Sequence, residues 1–404
     1  LRNCATGPYS NIGGGCNNTA SSISTIGGGY CNTASNHGST VAGGFNNTAS
    51  GLGSTISGGT TNTTSNFYST VGGGQNNTAS SYSAIGGGCF NTASAYNSTV
   101  GGGQNNTASG MQSTVGGGGS NTASNFYSTI GGGRSNTASA KNSSVAGGCC
   151  NITNARHSVI SGGHRNIIQS PTNECSSRGA TIGGGVGHNS SGGTLNATTG
   201  DLTGTITCCN AGAFSTISGG LRNVATGACS TIGGGRFNTA SASYSTVIGG
   251  LRAKATKYGE VAHAAGRFAA DGDAQHTVLV ARDSTTDATA NQVLFLDGSS
   301  ERLTIPAETT WMFTVKLAAH NDTDNDGGWW FFRGGIRRDA SNNTTLIGTV
   351  LEDNSKDSNI SSATASVVAD DTNEALEIRV TGVASKNIRW VAVVDISQVS
   401  WGTP

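Results

Sequence analysis

The sequence predicts an all-β protein in two parts: a parallel β-roll, or β-solenoid, over residues 1–266, and an antiparallel β-sandwich of jelly-roll type over residues 267–404. Three observations carry this. A short pattern recurs every 14 or 15 residues through the first part. Glycine is abundant, at 64 of 404 residues, while proline is scarce, at 4. Beyond residue 267 a strict alternation of apolar and polar side chains replaces the repeat.

The repeat reads Ser-Thr-(Ile/Val)-x-Gly-Gly. Its β-branched residue falls at Ile12, Ile26, Val41, Ile56, Val71, Ile85, Val100, Val115, Ile130, Val145 and Ile160, and again at Ile217, Ile232, Val247 and Val261, with Ile182 stranded between. An asparagine follows six residues later, as at Asn18, Asn32, Asn47 and Asn62, and a small residue such as Ala20, Ala34, Ala49 or Thr64 two residues after that. Ser-Thr-Ile suits a pleated strand. Gly-Gly supplies backbone angles that other residues reach only with strain. The asparagine reads as a turn residue bonding its own backbone, and Asn-Thr-Ala-Ser as a return strand. One coil brings a single Ile or Val and a single Ala, so only stacked coils share enough core. Roughly 16 coils advancing ~4.8 Å each predict a rod of about 75 Å. Leu1-Arg2-Asn3-Cys4-Ala5-Thr6-Gly7 matches Leu221-Arg222-Asn223-Val224-Ala225-Thr226-Gly227, from which the chain is expected to begin in mid-repeat, with more protein upstream.

Charged residues make up 11% and hydrophobic residues 34%, against ~25% and ~45–50% in ordinary globular domains. Disordered chains avoid burial by being charged, and this one is not. Collagen is excluded by the glycine spacing and the lack of proline. Residues 1–260 hold 11 Lys and Arg against 3 Asp and Glu, while residues 261–404 hold 11 against 19. No charge lies between Arg2 and Arg134. Without a basic stripe interleaved with aromatics, nucleic-acid binding is not expected. No run approaches the ~18 apolar residues of a membrane span, and no signal peptide is visible. The shortage of both charge and core predicts three chains packed about one axis, a homotrimer.

All ten cysteines fall in the first part, with no CxxC. The adjacent pairs Cys149–Cys150 and Cys208–Cys209 are not zinc-finger spacings, so the cysteines are expected as small buried hydrophobes, some cross-linking coils or chains in an oxidising medium. His157 and His164 flank Ile160 without carboxylate or thiol partners at ligand spacing. Residues 167–212, with Pro171 and Cys175, break the period and read as a surface loop. The many Asn-x-Ser/Thr triplets follow from the repeat itself.

In the second part Trp311, Phe313, Val315 and Leu317 alternate with other residues, as do Leu376, Ile378 and Val380 and then Ile388, Trp390, Ala392, Val394 and Ile396, which marks half-buried strands. Glu377, Arg379 and Thr381 are expected outward. Asp297-Gly298 is a hairpin signal. Asp322, Asp324 and Asp326 place carboxylates at alternate positions before Gly327, which suits calcium; the Glu of a full EF-hand loop is replaced by Arg333, and an acidic turn is the plainer reading. No other cofactor is indicated. Trp329-Trp330-Phe331-Phe332 must point to both faces of a strand, one pair to the core and the other to a trimer interface or a sugar. Arg333, Arg337 and Arg338 are candidates to grip an anionic receptor or to pair with the acidic surface.

Ser-Thr-Val-Gly-Gly-Gly-Gln-Asn-Asn-Thr-Ala-Ser, at 69–80 and 98–109, resembles the haemagglutinin-type head repeat of trimeric autotransporter adhesins over about two thirds of the chain. That resemblance implies a left-handed trimeric β-roll. Gly272-Asp273-Ala274-Gln275, Thr285-Thr286-Asp287-Ala288-Thr289, Leu296-Asp297-Gly298 and Ile388-Arg389-Trp390-Val391-Ala392 resemble the C-terminal domains of phage tail-fibre proteins, which implies a distal trimeric tip. Together the resemblances imply a structural, extracellular fibre of a virion that attaches to the host surface. Its implied partners are copies of itself, upstream virion or tail proteins, and a host-surface glycan or protein. One alternative is the head of a bacterial trimeric adhesin, for which a coiled-coil stalk and a membrane anchor would be expected after the head. A second is a polysaccharide-degrading tailspike. Against it, Glu174 and Asp201 are the only acids before Glu260, too few for a paired-carboxylate site, and no nucleophile elbow, phosphate loop or zinc motif is present. The expectation is therefore that the chain is not an enzyme.

Overall fold

A computed structural model describes residues 2–169, 177–190, 194–195, 202–203 and 212–401. Pro171, Glu174, Cys175, Asp201, Cys208 and Cys209 lie outside these residues. The fold is all-β, a parallel solenoid followed by antiparallel sheets, with a single 3-10 turn at Ser358–Ile360 among the described residues.

Each coil holds two very short strands. One carries the Ile or Val, as in Thr40–Val41, Thr55–Ile56 and Thr70–Val71. The other carries the small residue, as in Thr48–Ala49, Thr63–Ser65 and Thr78–Ser80. Coils pair in parallel with like on like: Val41 faces Ile56, which faces Val71, and Ala49 faces Thr64, which faces Ala79. This register buries every predicted core position from Ile26 to Ile160 and at Ile217, Ile232 and Val247; Ile12, in the first coil, is half-buried. Each buried Ile or Val contributes about 1.5–3 kcal/mol.

The asparagine does something other than turn the chain. Asn18, Asn32, Asn47 and their successors are fully buried. The left-handed turn residue is the one before, with φ near +57° at Cys31 and Phe90, +55° at Thr61 and +61° at Cys150. In the Asn47–Asn62–Asn77 run each Oδ1 accepts the backbone N–H of the next asparagine, at 2.9 and 3.0 Å. Each Nδ2 donates to glycine carbonyls, those of Gly58 and Gly74 for Asn62, at 3.0 and 2.9 Å. The ladder satisfies backbone groups that the short strands leave unpaired.

The chain divides into two compact units, residues 1–214 and 215–404. In the first, the register persists further than the period suggests. Ile167–Ile168 pairs with Ile152–Thr153, and Ile182 is a buried core residue facing Ile160.

In the second unit, further coils end at strand Val261–Ala264, which pairs in parallel with Thr246–Gly250 and antiparallel with β1 (Ala274–Thr285). Buried Glu260 fixes this join by accepting the N–H groups of Thr256 and Lys257 at 2.6 and 2.8 Å and the Thr277 hydroxyl at 3.2 Å. The remaining strands are β2 (Gln292–Val293), β3 (Leu303–Thr304), β4 (Thr309–Asn321), β5 (Asp326–Arg338), β6 (Thr344–Lys356), β7 (Thr364–Asp370), β8 (Ala375–Thr381) and β9 (Ile388–Ser400). One sheet runs β1-β9-β4-β5-β6. The second has β8 between β7 on one side and β2 and β3 on the other. Trp311, Phe313, Val315, Leu317, Trp390 and Ile396 from the first sheet pack on Leu294, Leu303, Leu376, Ile378 and Val380 from the second. Glu377 departs from expectation: it is buried, because Arg302 and Arg379 cover its carboxylate.

Candidate functional site

One corner of the solenoid in the first unit carries a column of exposed aromatic side chains. It is built at the turn before each Ser-Thr-Ile/Val strand. The residue three before the Ile or Val takes a left-handed conformation, and its N–H donates to the preceding coil: Tyr68 to Leu52, Tyr82 to Phe67, Gln112 to Tyr96 and Tyr127 to Met111, at 2.7–3.0 Å. In some coils this place is held by glycine, as at Gly38 and Gly53, at φ +70° and +63°. In others it is held by Tyr68, Tyr82 and Tyr127, at +48°, +60° and +57°. Left-handed angles cost a residue with a Cβ about 1–2 kcal/mol. The tyrosines bring no compensating burial, since Tyr68 is 56% exposed and Tyr82 41%.

The column comprises Phe67, Tyr68, Tyr82, Tyr96, Phe126 and Tyr127. Ring centroids of Tyr68 and Tyr82 lie 5.5 Å apart, those of Phe67 and Tyr82 6.1 Å, and those of Tyr82 and Tyr96 5.0 Å. Asn66, Asn97 and Gln112 stand exposed among them. The result is a neutral strip of rings with amide neighbours, a surface that offers stacking and hydrogen bonds without charge. Sequence reading did not single out these residues. Their signal was there, as aromatics three or four residues before the Ile or Val in several coils.

A second surface lies on the outer face of the five-stranded sheet. Trp329, Phe331, Lys316, Ala318, Asp353, Val391 and Val393 line a shallow groove of about 530 Å³. The tandem tryptophans divide as alternation requires. Trp330 is buried against Trp390, with centroids 5.3 Å apart, and Trp329 is 47% exposed. Met312, Val280 and Val399 extend the exposed apolar face. Arg333 and Arg337 are exposed on the Trp329 side of β5. Arg338 is not available to a receptor: it donates to the Ile305 carbonyl and to Asn342 at 2.9 Å each, and lies 3.3 Å from Glu374.

The aspartates of the β4–β5 turn are brought near one another in sequence but not into one cluster. Asp324 receives Lys386 and the Asn321 amide, and these hydrogen bonds, that of Lys386 foremost, hold its carboxyl below the usual range. Asp326 receives the N–H of Asn359 at 2.9 Å. The Asp324 carboxylate is thus paired with a lysine ammonium. Among the described residues, the three metal-ligating side chains whose donor atoms do converge, within 4.8 Å of one another, are Cys149, Cys150 and His164. This corrects the reading of His164 as lacking a thiol partner. The cysteines of the described residues are free and half-buried or exposed, not core residues.

A polar recess of about 310 Å³ in the second unit is lined by Lys254, Lys257, Asp271, Asp273, Gln275 and Gln398. Burial holds the Lys257 ammonium below its ordinary range, with Glu260 opposing that shift. Asp271 is paired to Arg252 and Arg267, and Asp273 accepts the N–H groups of Phe268, Ala269 and Ala270.

No known protein family and no curated protein matches the chain. Among solved structures, three similar ones are phage tailspikes. The tailspike of Acinetobacter baumannii phage AM24 is 9% identical, with 94% of this chain and 73% of that one covered and a TM-score of 0.24. That of A. baumannii bacteriophage Fri1, described as a capsular polysaccharide depolymerase, is 7% identical, with 98% and 70% covered and a TM-score of 0.22. That of Acinetobacter phage vB_ApiP_P1 is 8% identical, with 99% and 80% covered and a TM-score of 0.24. Likeness at this level places no residue of this chain in a site and assigns it no activity. The expectation that the chain is not an enzyme is withdrawn all the same, because a protein to which it bears this likeness is described as a depolymerase.

Proposed function

We propose that the protein is a virion appendage of the tail-fibre or tailspike kind that attaches to a host-surface polysaccharide, with the aromatic corner of the solenoid as the glycan-binding strip. The observation that carries this is the placement of Tyr68, Tyr82 and Tyr127 at left-handed positions that glycine fills in sister coils. Strain held at a solvent-exposed site points to function. Rings about one coil apart offer faces on which successive sugar rings stack, and Asn66, Asn97 and Gln112 supply hydrogen bonds. We assign the apolar face around Trp329 to self-association as a homotrimer, in keeping with the two-fold shortage of charge and core.

The test uses the whole chain and a panel of bacterial capsular and lipopolysaccharide glycans. Binding to at least one neutral polysaccharide is expected. Tyr68→Gly and Tyr82→Gly, which relieve backbone strain and remove the rings, should weaken that binding at least 10-fold while raising the unfolding temperature. Binding untouched by both substitutions, or none across the panel, overturns the assignment. Free oligosaccharide in the same incubations would show that attachment is coupled to cleavage.

A further inference from the structure

The repeat places one group of soft metal ligands where the linear sequence shows none. Cys149 stands four residues after Val145 and His164 four residues after Ile160, so the coil register sets them side by side in adjacent coils. Their backbones are tied directly: the Cys149 N–H donates to Gly163 at 2.9 Å, and the Arg165 N–H donates to the Cys149 carbonyl at 3.0 Å. Cys150 occupies the left-handed turn position, at φ +61°. That conformation swings its side chain back, leaving the two sulfurs 2.9 Å apart. Asn46, Asn76 and Asn105 hold this turn position in other coils.

We propose that Cys149, Cys150 and His164 form a binding site for a soft or borderline metal cation of the zinc class. Tetrahedral zinc, with Zn–S near ~2.3 Å and Zn–N near ~2.0 Å, needs donors about 3.5–3.8 Å apart. The three donor atoms here lie within 4.8 Å of one another. Rotation about the Cys side-chain bonds brings the sulfurs to the required separation without moving the backbone. All three side chains are half-buried, which leaves the fourth coordination position open to the outside for water or a ligand from another molecule. Hard cations are not suited, because the described residues of the first unit contain no Asp or Glu.

Charge is consistent with this choice. The thiols surrender two protons to solvent as a dication binds, so the filled S₂N site is neutral, and the neighbouring Arg134 and Arg165 face no excess positive charge.

The test uses the full chain, reduced, freed of metal and titrated with Co²⁺ and then Zn²⁺. One equivalent of Co²⁺ per chain should give a near-ultraviolet thiolate-to-cobalt band that Zn²⁺ removes. Cys149→Ser and His164→Ala should each weaken binding at least 10-fold. Cys89→Ser, at the same coil position without a thiol neighbour, should leave it unchanged. Zn²⁺ should raise the unfolding temperature of the parent and of Cys89→Ser only; equal metal-free unfolding temperatures for all variants exclude misfolding as the cause. No thiolate band, a band that survives Cys149→Ser, or thiols found joined as a vicinal disulfide that reduction does not convert to a metal-binding form would overturn the proposal.

Discussion

Asn47 Oδ1 accepts the backbone N–H of Asn62, one coil further on, at 2.9 Å. Asn62 does the same for Asn77 at 3.0 Å while donating to Gly58 and Gly74. Asn62→Ala therefore removes a partner from the buried Asn77 N–H and from two part-buried glycine carbonyls, of which Gly74 keeps the Thr60 N–H. Leaving a buried polar group unsatisfied costs about 1–3 kcal/mol. With partial relaxation we expect a loss of about 2–4 kcal/mol in denaturant unfolding. Asn105→Ala, which changes an exposed turn residue at φ +57°, should lose about 1 kcal/mol.

Gly103 and Gly102 are adjacent and chemically identical, yet they should respond oppositely to alanine. Gly103 has φ +87°, and a Cβ there would meet the Gly118 oxygen at 2.1 Å and Asn106 Nδ2 at 2.8 Å. Around Gly102 nothing comes nearer than the Gly87 oxygen at 3.9 Å. Gly103→Ala is expected to cost about 3 kcal/mol or more, and Gly102→Ala to stay within about 0.5 kcal/mol. Equal unfolding midpoints for the two variants would contradict the coil geometry.

These two cases show what the sequence made legible. Ile and Val at a fixed period mark the core because burial depends on side-chain type, and type is written in the sequence. The alternating strands of the second unit were legible for the same reason, down to Trp311, Phe313 and Trp390. The asparagine departs from the turn reading because turn propensity is a local property, while its side-chain bonds, as at Asn62, also reach Gly74 and Asn77 in the next coil. Glu377 looked outward because alternation gives a face and not what covers it. Cys150 and His164 are 14 residues apart and meet only through register. The aromatic corner was missed because exposed rings leave no hydrophobic periodicity in a core.

Asp370, at the end of β7, makes stability depend on acid. Burial would raise its pKa, but hydrogen bonds from the Asn373 side-chain amide and from the N–H groups of Asn373 and Thr372 outweigh this and bring it to about 2. Arg302, which also binds Glu377, lies 3.4 Å away. A folded-state pKa below the unfolded value of about 3.9 gives stabilisation present above that pH and lost as pH falls toward the folded value. Thermal unfolding of Asp370→Asn should lie below the parent near neutral pH, and the gap should close between about pH 4 and pH 2. A gap that is constant with pH would show that the carboxylate charge is not what matters.

Trp329 and Trp330 are neighbours with opposite environments, and their variants should separate folding from assembly. Trp330 is 2% exposed and packs on Trp390 and beneath the Lys356 ammonium, 5.7 Å from its ring. Trp330→Ala should cost about 3–5 kcal/mol, as emptying a core aromatic site does. Trp329 stands outward beside Val391, Val393 and Phe331. Its replacement changes little within one chain, since an exposed side chain surrenders little burial. In a trimer joined through this face, Trp329→Asp would place a desolvated charge against apolar partners, which is strongly unfavourable. Mass measurement under native conditions should then find the parent trimeric and Trp329→Asp monomeric, with the near-ultraviolet circular dichroism of the buried tryptophans retained. A Trp329→Asp protein that stays trimeric would move the interface elsewhere and leave the Trp329 groove free for a ligand. A parent that is monomeric at micromolar concentration would remove the trimer itself.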